Sequence, residues 1–347
     1  MVTKTRPITL TELVDQFIES VSLVSPRTGK RLSPWTVENY RKVLTGLEYF
    51  AAMNGWPEPA RLTRKHLRDF VLYLSLEPRR WSGNGRRPTH KEAKTGTVNR
   101  YGTVTKTFFR WALEEEYLPE TPELLSMLRF KLPQPGSDGV EPYTDDELTS
   151  MLGVCDYDIQ RGNRFLGVRN KAIISVFTDT GLRLAELTGM KLSELDPKLQ
   201  QVRVFGKGAK FRVVPLNGQA RKVLKTYLAD YRQPGLSDEV WQTDNGAPLT
   251  RHGVKIMLPR LRRRAGVTSG GGAHKFRHFF GTSYLQNGGD VNTLRLLLGH
   301  ESLDTTLKYV KFIDERRAIN SHAEFSPLDH LYHGGSRQSD EHWGWKP

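Results

Sequence analysis

Ala273-His274-Lys275-Phe276-Arg277-His278, then Leu297-Leu298-Gly299-His300, then Thr305-Thr306-Leu307-Lys308-Tyr309: from this stretch the rest of the 347-residue chain is read. His274 and Arg277 are three residues apart, a spacing that puts both side chains on one face of a helix. Tyr309 follows His300 by nine residues. A cation, two imidazoles and a phenol brought together are suited to attack on a phosphate diester. Arginine offers a planar fork of N–H donors to phosphate oxygens. Histidine donates hydrogen bonds or moves protons near neutral pH, and tyrosine can carry a covalent intermediate. Taken singly, each has a plainer reading: His300 after Gly299 as the cap of a helix end, Tyr309 as a packed aromatic.

Two further boxes lie upstream. In Asp179-Thr180-Gly181-Leu182-Arg183-Leu184-Ala185-Glu186-Leu187, Arg183 stands where a turn enters a helix. Such a place offers backbone N–H groups to an anion. The ordinary alternative is a surface ion pair between Arg183 and Glu186. Gly206-Lys207-Gly208 reads as a flexible basic hairpin tip; it is no P-loop, because the remainder of that motif is missing. The four boxes together, in this order, resemble the signature of the tyrosine recombinases, the family of phage integrases, Xer proteins and Cre.

Composition agrees with a DNA-handling protein. The net charge is +14, and 37% of residues are hydrophobic, with 15 Phe, 12 Tyr and 7 Trp to build cores. The charge divides as +8 over residues 1–135, +8 over 136–321 and −2 over 322–347. Two basic bodies suit a protein that meets duplex DNA, whose phosphates lie on every face. The only cysteine, Cys155, excludes an internal disulfide and reads as a small buried residue. No apolar run approaches a membrane span, and the first residues lack the apolar core of a signal peptide. The expected compartment is the cytoplasm, in association with the nucleoid.

Periodicity divides the chain. Helices are expected over about 9–24, from Ser33-Pro34 to Gly55, after Thr63, and over about 97–116, each with an apolar stripe at helical spacing. Thr9 with Glu12 and Thr144 with Glu147 form capping boxes. The basic segment from Arg79 to Arg87 reads equally as a solvated loop or a DNA contact. The Pro- and Gly-rich run 132–143 reads as a linker. Beyond it come helices, a hairpin from 202–205 and 211–216, and further helices near 217, 251–265, 275–286 and 292–298. Residues 1–131 thus form a helical domain, 144–321 a second domain and 322–347 a tail.

The resemblance implies a mainly α, two-domain protein. A four-helix, SAM-like core-DNA-binding bundle precedes a mixed α/β, mostly helical catalytic domain with a small antiparallel sheet. It implies that Arg183 and Arg277 clamp the scissile phosphate and that Lys207, with Lys210 as competitor, protonates the departing 5′ oxygen. His274 would transfer a proton or bind phosphate, His300 would donate to a non-bridging oxygen, and Tyr309 would be the nucleophile. Glu186 would hold neighbouring side chains in place, and His278 is structural. The implied activity is site-specific strand exchange through a 3′-phosphotyrosyl link and a Holliday junction, with neither metal nor nucleotide as cofactor. The implied partners are double-stranded recombination sites and a homotetramer, with room for a directionality factor. Helix one begins near residue 9, which leans towards a simple-site enzyme. A type IB topoisomerase, or a DNA-binding protein that kept the fold without activity, are the alternatives.

Overall fold

The computed structural model describes residues 7–25, 29, 31–77, 93–133, 141–206, 211–235 and 237–310. The basic segment 79–87, Lys207, Lys210 and the tail 322–347 lie outside the described residues. The chain falls into two units, Met1–Ser137 and Asp138–Pro347.

In the first unit, Thr9 opens α1 (Leu10–Leu23) by reciprocal capping. The Thr9 hydroxyl accepts from the Glu12 N–H at 3.2 Å, and the Glu12 carboxylate accepts from the Thr9 N–H at 2.9 Å. Two donors that the first turn cannot satisfy are thereby met. Leu13, Val14, Phe17, Ile18 and Val21 form the buried stripe of α1. α2 (Pro34–Met53) starts from Ser33 with proline in its first turn, where a missing N–H does no harm. α3 (Arg64–Leu76) follows Thr63, and α4 (Thr95–Glu114) begins two residues earlier than its stripe suggests. Phe17 is the hub, with the rings of Tyr40, Phe108 and Trp111 at 5.7, 5.4 and 5.2 Å. The Trp111 indole N–H donates to Ser20 at 3.2 Å, so its burial strands no donor.

A fifth helix, α5 (Pro122–Leu128), joins the four expected ones. Seven residues are too few for a periodic stripe; only the Thr121 cap and Pro122 at the first position announce it. Leu124 and Met127 tie it into the same core.

In the second unit, α6 (Asp145–Gln160) starts from the Thr144 capping box. It packs on α7 (Arg164–Thr180), whose Ala172, Ile173, Ile174, Val176 and Phe177 are all fully buried. α7 is buried on most of its sides, Arg169, Asn170 and Thr180 included, and is the helix the unit is built on. Cys155 of α6 is buried beside it. Around them lie α8 (Leu184–Thr188), α9 (Gly218–Thr226), α10 (Arg251–Arg264), α11 (Ala273–Gln286), α12 (Val291–Leu298) and α13 (Asp304–Val310). β1 (Gln201–Phe205) and β2 (Phe211–Pro215) form a two-stranded antiparallel sheet in which Phe205 faces Phe211. Val202, Val204 and Val214 point into the core, while Arg203, Phe205 and Val213 point out. Among the described residues, no helix is long and apolar enough to cross a membrane.

Phe276 sets the orientation of α11. Its ring stacks on Phe177 at 5.3 Å and meets Tyr143 at 4.8 Å. The next residue, Arg277, is turned by about 100° and faces the end of α7. A second, smaller core holds Leu285, Leu294, Leu298 and Tyr309 together across α11, α12 and α13.

Candidate active site

α7 ends at Gly181 in the left-handed region, with φ of 59°, and the chain turns into Arg183, the residue that precedes α8. The Arg183 side chain donates to Glu186 Oε1 at 2.8 Å, and the Arg183 backbone N–H donates to Glu186 Oε2, also at 2.8 Å. The ion pair read as the ordinary alternative therefore exists. It also corrects one expectation: the Arg183 amide is already taken by Glu186, so an incoming anion meets side chains rather than this amide. About a third of the Arg183 side chain stays exposed.

Arg277 is 1% exposed and donates to the Gly181 carbonyl at 3.0 Å and the Leu298 carbonyl at 2.6 Å. The end of α12 gathers three arginines. The Leu297 carbonyl accepts from Arg212, the Leu298 carbonyl from Arg277 and the Gly299 carbonyl from Arg183, at 3.0, 2.6 and 3.4 Å. The last carbonyls of a helix have no intrahelical partner and carry its negative end, which suits them to hold cations. Gly299 makes this turn possible. Its φ is 65°, and a Cβ there would stand 3.0 Å from Arg212.

His300 follows with its Nδ1 2.8 Å from the hydroxyl of Thr306, a fully buried residue of α13. That contact and the α13 helix place Tyr309, whose ring lies parallel to His300 at 6.3 Å and edge-on to His278 at 5.3 Å. Gly281 of α11 gives the ring its room, since a Cβ there would stand 3.1 Å from it. His274 meets His278 at 4.7 Å. Lys308, quoted beside Tyr309 but given no role from sequence, lies 5.3 Å from the Tyr309 ring centre. Arg212 was missed outright. Thus Arg183, His274, Arg277, His300 and Tyr309 come together, with Glu186 beneath them, and Lys207 lies outside the described residues.

The charged groups of this cluster shift one another's protonation. Burial pushes the Glu186 carboxyl up, but the hydrogen bonds and charges of Arg212 and Arg183 outweigh it and hold the pKa down at about 2. Burial, then the charge of Arg183, pushes Arg277 down to about 10. Burial and the charges of Arg277, Arg183 and Lys308 push His300 down to about 3. His274 is lowered by its surroundings and by Lys308, Arg277 and Arg183; Lys308 is lowered by burial and the same two arginines. Burial raises the buried Tyr309 hydroxyl, against the pull of Arg277 beside it. At each of these cations burial works against the charged form first, and the neighbouring like charges add to it. Among the described residues, no three His, Cys, Asp or Glu side chains are grouped to hold a metal ion.

His300 also makes a prediction about stability. An unfolded histidine has a pKa near 6.5, and burial with the neighbouring cations holds this one down at about 3. As pH falls through that window the unfolded chain takes the proton first, so stability is lost. The melting temperature is expected to drop between pH 7 and 4.5, and to drop less steeply in His300→Gln, which cannot titrate. Parallel curves for the two proteins would contradict the depressed histidine.

Comparison with known proteins bears on this geometry. Residues 143–316 match the Phage integrase family. The tyrosine recombinase XerC of Lactobacillus delbrueckii subsp. bulgaricus is 30% identical over 292 residues, covering 82% of this chain and 90% of that protein. XerD of Ralstonia nicotianae is 31% identical over 244 residues, covering 69% and 76%. Among solved structures, the Tn1549 transposon integrase in complex with circular intermediate DNA aligns with a TM-score of 0.64 at 17% identity. It covers 87% of this chain and 95% of that one. The XerH recombinase bound to its difH substrate aligns at 0.63 and 19%, covering 90% and 84%. At those identities the two structures speak for the fold.

Proposed function

The chain belongs to the phage integrase family, whose members that it matches are tyrosine recombinases, and from that premise we propose that it cleaves and rejoins DNA at specific sites through Tyr309. The observation that carries the proposal is the assembly of Arg183, Arg277, His274 and His300 around the Tyr309 phenol. The phenolic oxygen attacks phosphorus, its proton passing to His274. The bond from phosphorus to the 5′ oxygen breaks, and Lys207 protonates that oxygen. What remains is a 3′-phosphotyrosyl link and a free 5′-hydroxyl. Five-coordinate phosphorus carries added negative charge, which Arg183, Arg277 and a donor from His300 would stabilise. Phosphate binding would also draw the depressed histidines back towards protonation.

The 5′-hydroxyl of a partner strand then reverses the step. Phosphodiester energy is conserved in the tyrosyl link, so neither metal nor nucleotide is required. Two such rounds pass through a Holliday junction held by four copies of the chain on paired recombination sites. The basic helical bundle adds phosphate contacts, which position the protein, while a few base contacts choose the site.

The test is recombination in a chelator. Two labelled duplexes carrying a candidate site from the DNA flanking its own gene are incubated with the protein in EDTA without nucleotide. Recombinant duplexes with no net loss of phosphodiester bonds are expected. Free cleaved ends accumulating instead would point to a hydrolase, and relaxation without exchange would point to a topoisomerase.

A further inference from the structure

Arg212 stands on β2 directly after Phe211, in a strand whose neighbours Phe211 and Val213 face out, and its own side chain is only 14% exposed. The guanidinium works in two directions. Nη1 and Nη2 donate to Glu186 Oε1 and Oε2 at 2.7 and 2.8 Å, a two-pronged pair, while Nε donates to the Leu297 carbonyl at 3.0 Å. Gly299 packs against the same side chain, and a Cβ there would stand 3.0 Å from it. Glu186 is 5% exposed and passes the constraint on, since it holds Arg183 through both side chain and backbone.

Charge gives a second reason for Arg212. Glu186 alone with Arg183 would cancel the charge that a phosphate needs to meet. With Arg212 engaging both carboxylate oxygens, the trio keeps one net positive charge, and Arg183 keeps part of its fork towards solvent.

We infer that Arg212 is a positioning residue for the phosphate clamp: it locks Glu186 to the end of α12 so that Arg183 is presented in register and with its charge uncancelled. The inference rests on the recombinase reading above. Arg212 reaches the reaction through Glu186 and Arg183.

The test is single-turnover cleavage of a nicked site at saturating protein. Arg212→Met is expected to cleave roughly 100-fold more slowly, the scale of a small misplacement of a reacting group, with little change in DNA affinity. Arg212→Lys keeps the charge but not the fork, and is expected to fall between the two; it also serves should the methionine variant fold poorly. Because Arg212 acts through Glu186, the double variant Arg212→Met/Glu186→Gln is expected to be no slower than Arg212→Met alone. On a duplex whose scissile phosphate is replaced by an uncharged methylphosphonate, the Arg212→Met defect is expected to shrink, because less positive charge is needed. A merely structural role would leave the defect the same on both substrates. Wild-type rates in both Arg212→Met and Arg212→Lys, a double variant slower than Arg212→Met by the full factor that Glu186→Gln costs on its own, or equal defects on the two substrates would each overturn the inference while leaving the recombinase reading intact. Absence of any Tyr309-dependent adduct with the wild-type protein would overturn that reading, and this one with it.

Discussion

Tyr309→Phe is expected to abolish covalent capture of DNA and to leave binding nearly unchanged. The substitution removes one oxygen and nothing else. The ring is held by shape, against Gly281 on one side and the rings of His278 and His300 on the others, and phenylalanine fills the same space. The hydroxyl is buried and lacks a hydrogen bond of good geometry; burial raises its pKa while Arg277 beside it lowers it. Losing a buried, poorly satisfied hydroxyl costs little stability and can add some. The melting temperature is therefore expected to hold or rise, while the covalent adduct disappears, since a phenyl ring has no oxygen to esterify. Adduct that persisted in the variant would place the nucleophile elsewhere.

The second large effect is expected at Arg277, where stability and function should part. This guanidinium is almost wholly buried, with two carbonyl partners, and burial and the nearby charge of Arg183 push it down to about 10. A buried cation in such company is a cost to the fold, and under the proposed function it preorganises charge for a phosphate. Arg277→Met, of similar reach and no charge, removes the cost of the buried cation but leaves the Gly181 and Leu298 carbonyls without their donor, so its melting temperature is expected to change little. Its cleavage rate is expected to fall by roughly 10²–10³-fold, the range seen when one preorganised donor is removed. Unaltered cleavage would sink the clamp assignment. A collapse of the melting temperature would show that Arg277 is chiefly a structural tie between Gly181 and Leu298.

Much of this architecture is legible in the residues themselves. The capping boxes at Thr9 and Thr144 form as read, because Thr and Glu three residues apart satisfy each other's donors locally. Of the apolar stripe Leu10, Leu13, Val14, Phe17, Ile18 and Val21 expected for α1, all but Leu10 are buried, and Leu10 is partly so. What escaped was short or tertiary. α5 is seven residues long, below the length at which a 3.6-residue period can be told from chance. Arg212 escaped because alternation along a strand says which face a residue takes and nothing of a carboxylate 26 positions away. The same limit hid the three arginines at the end of α12: three consecutive backbone carbonyls carry no side-chain signature. At Arg183 the plain reading is met, since the ion pair with Glu186 forms and orients the arginine.

The most direct measurement is chemical identification of the protein–DNA bond. A nicked suicide duplex carrying a candidate site traps the intermediate, because the short 5′-hydroxyl fragment diffuses away and cannot reverse the attack. The trapped complex is digested with protease and nuclease, and the linked peptide is sequenced by mass spectrometry. The expected result is a nucleotide 3′-phosphate esterified to Tyr309, with a 5′-hydroxyl on the released fragment. A phosphate on another residue, or a 5′-phosphoryl link, would contradict the account.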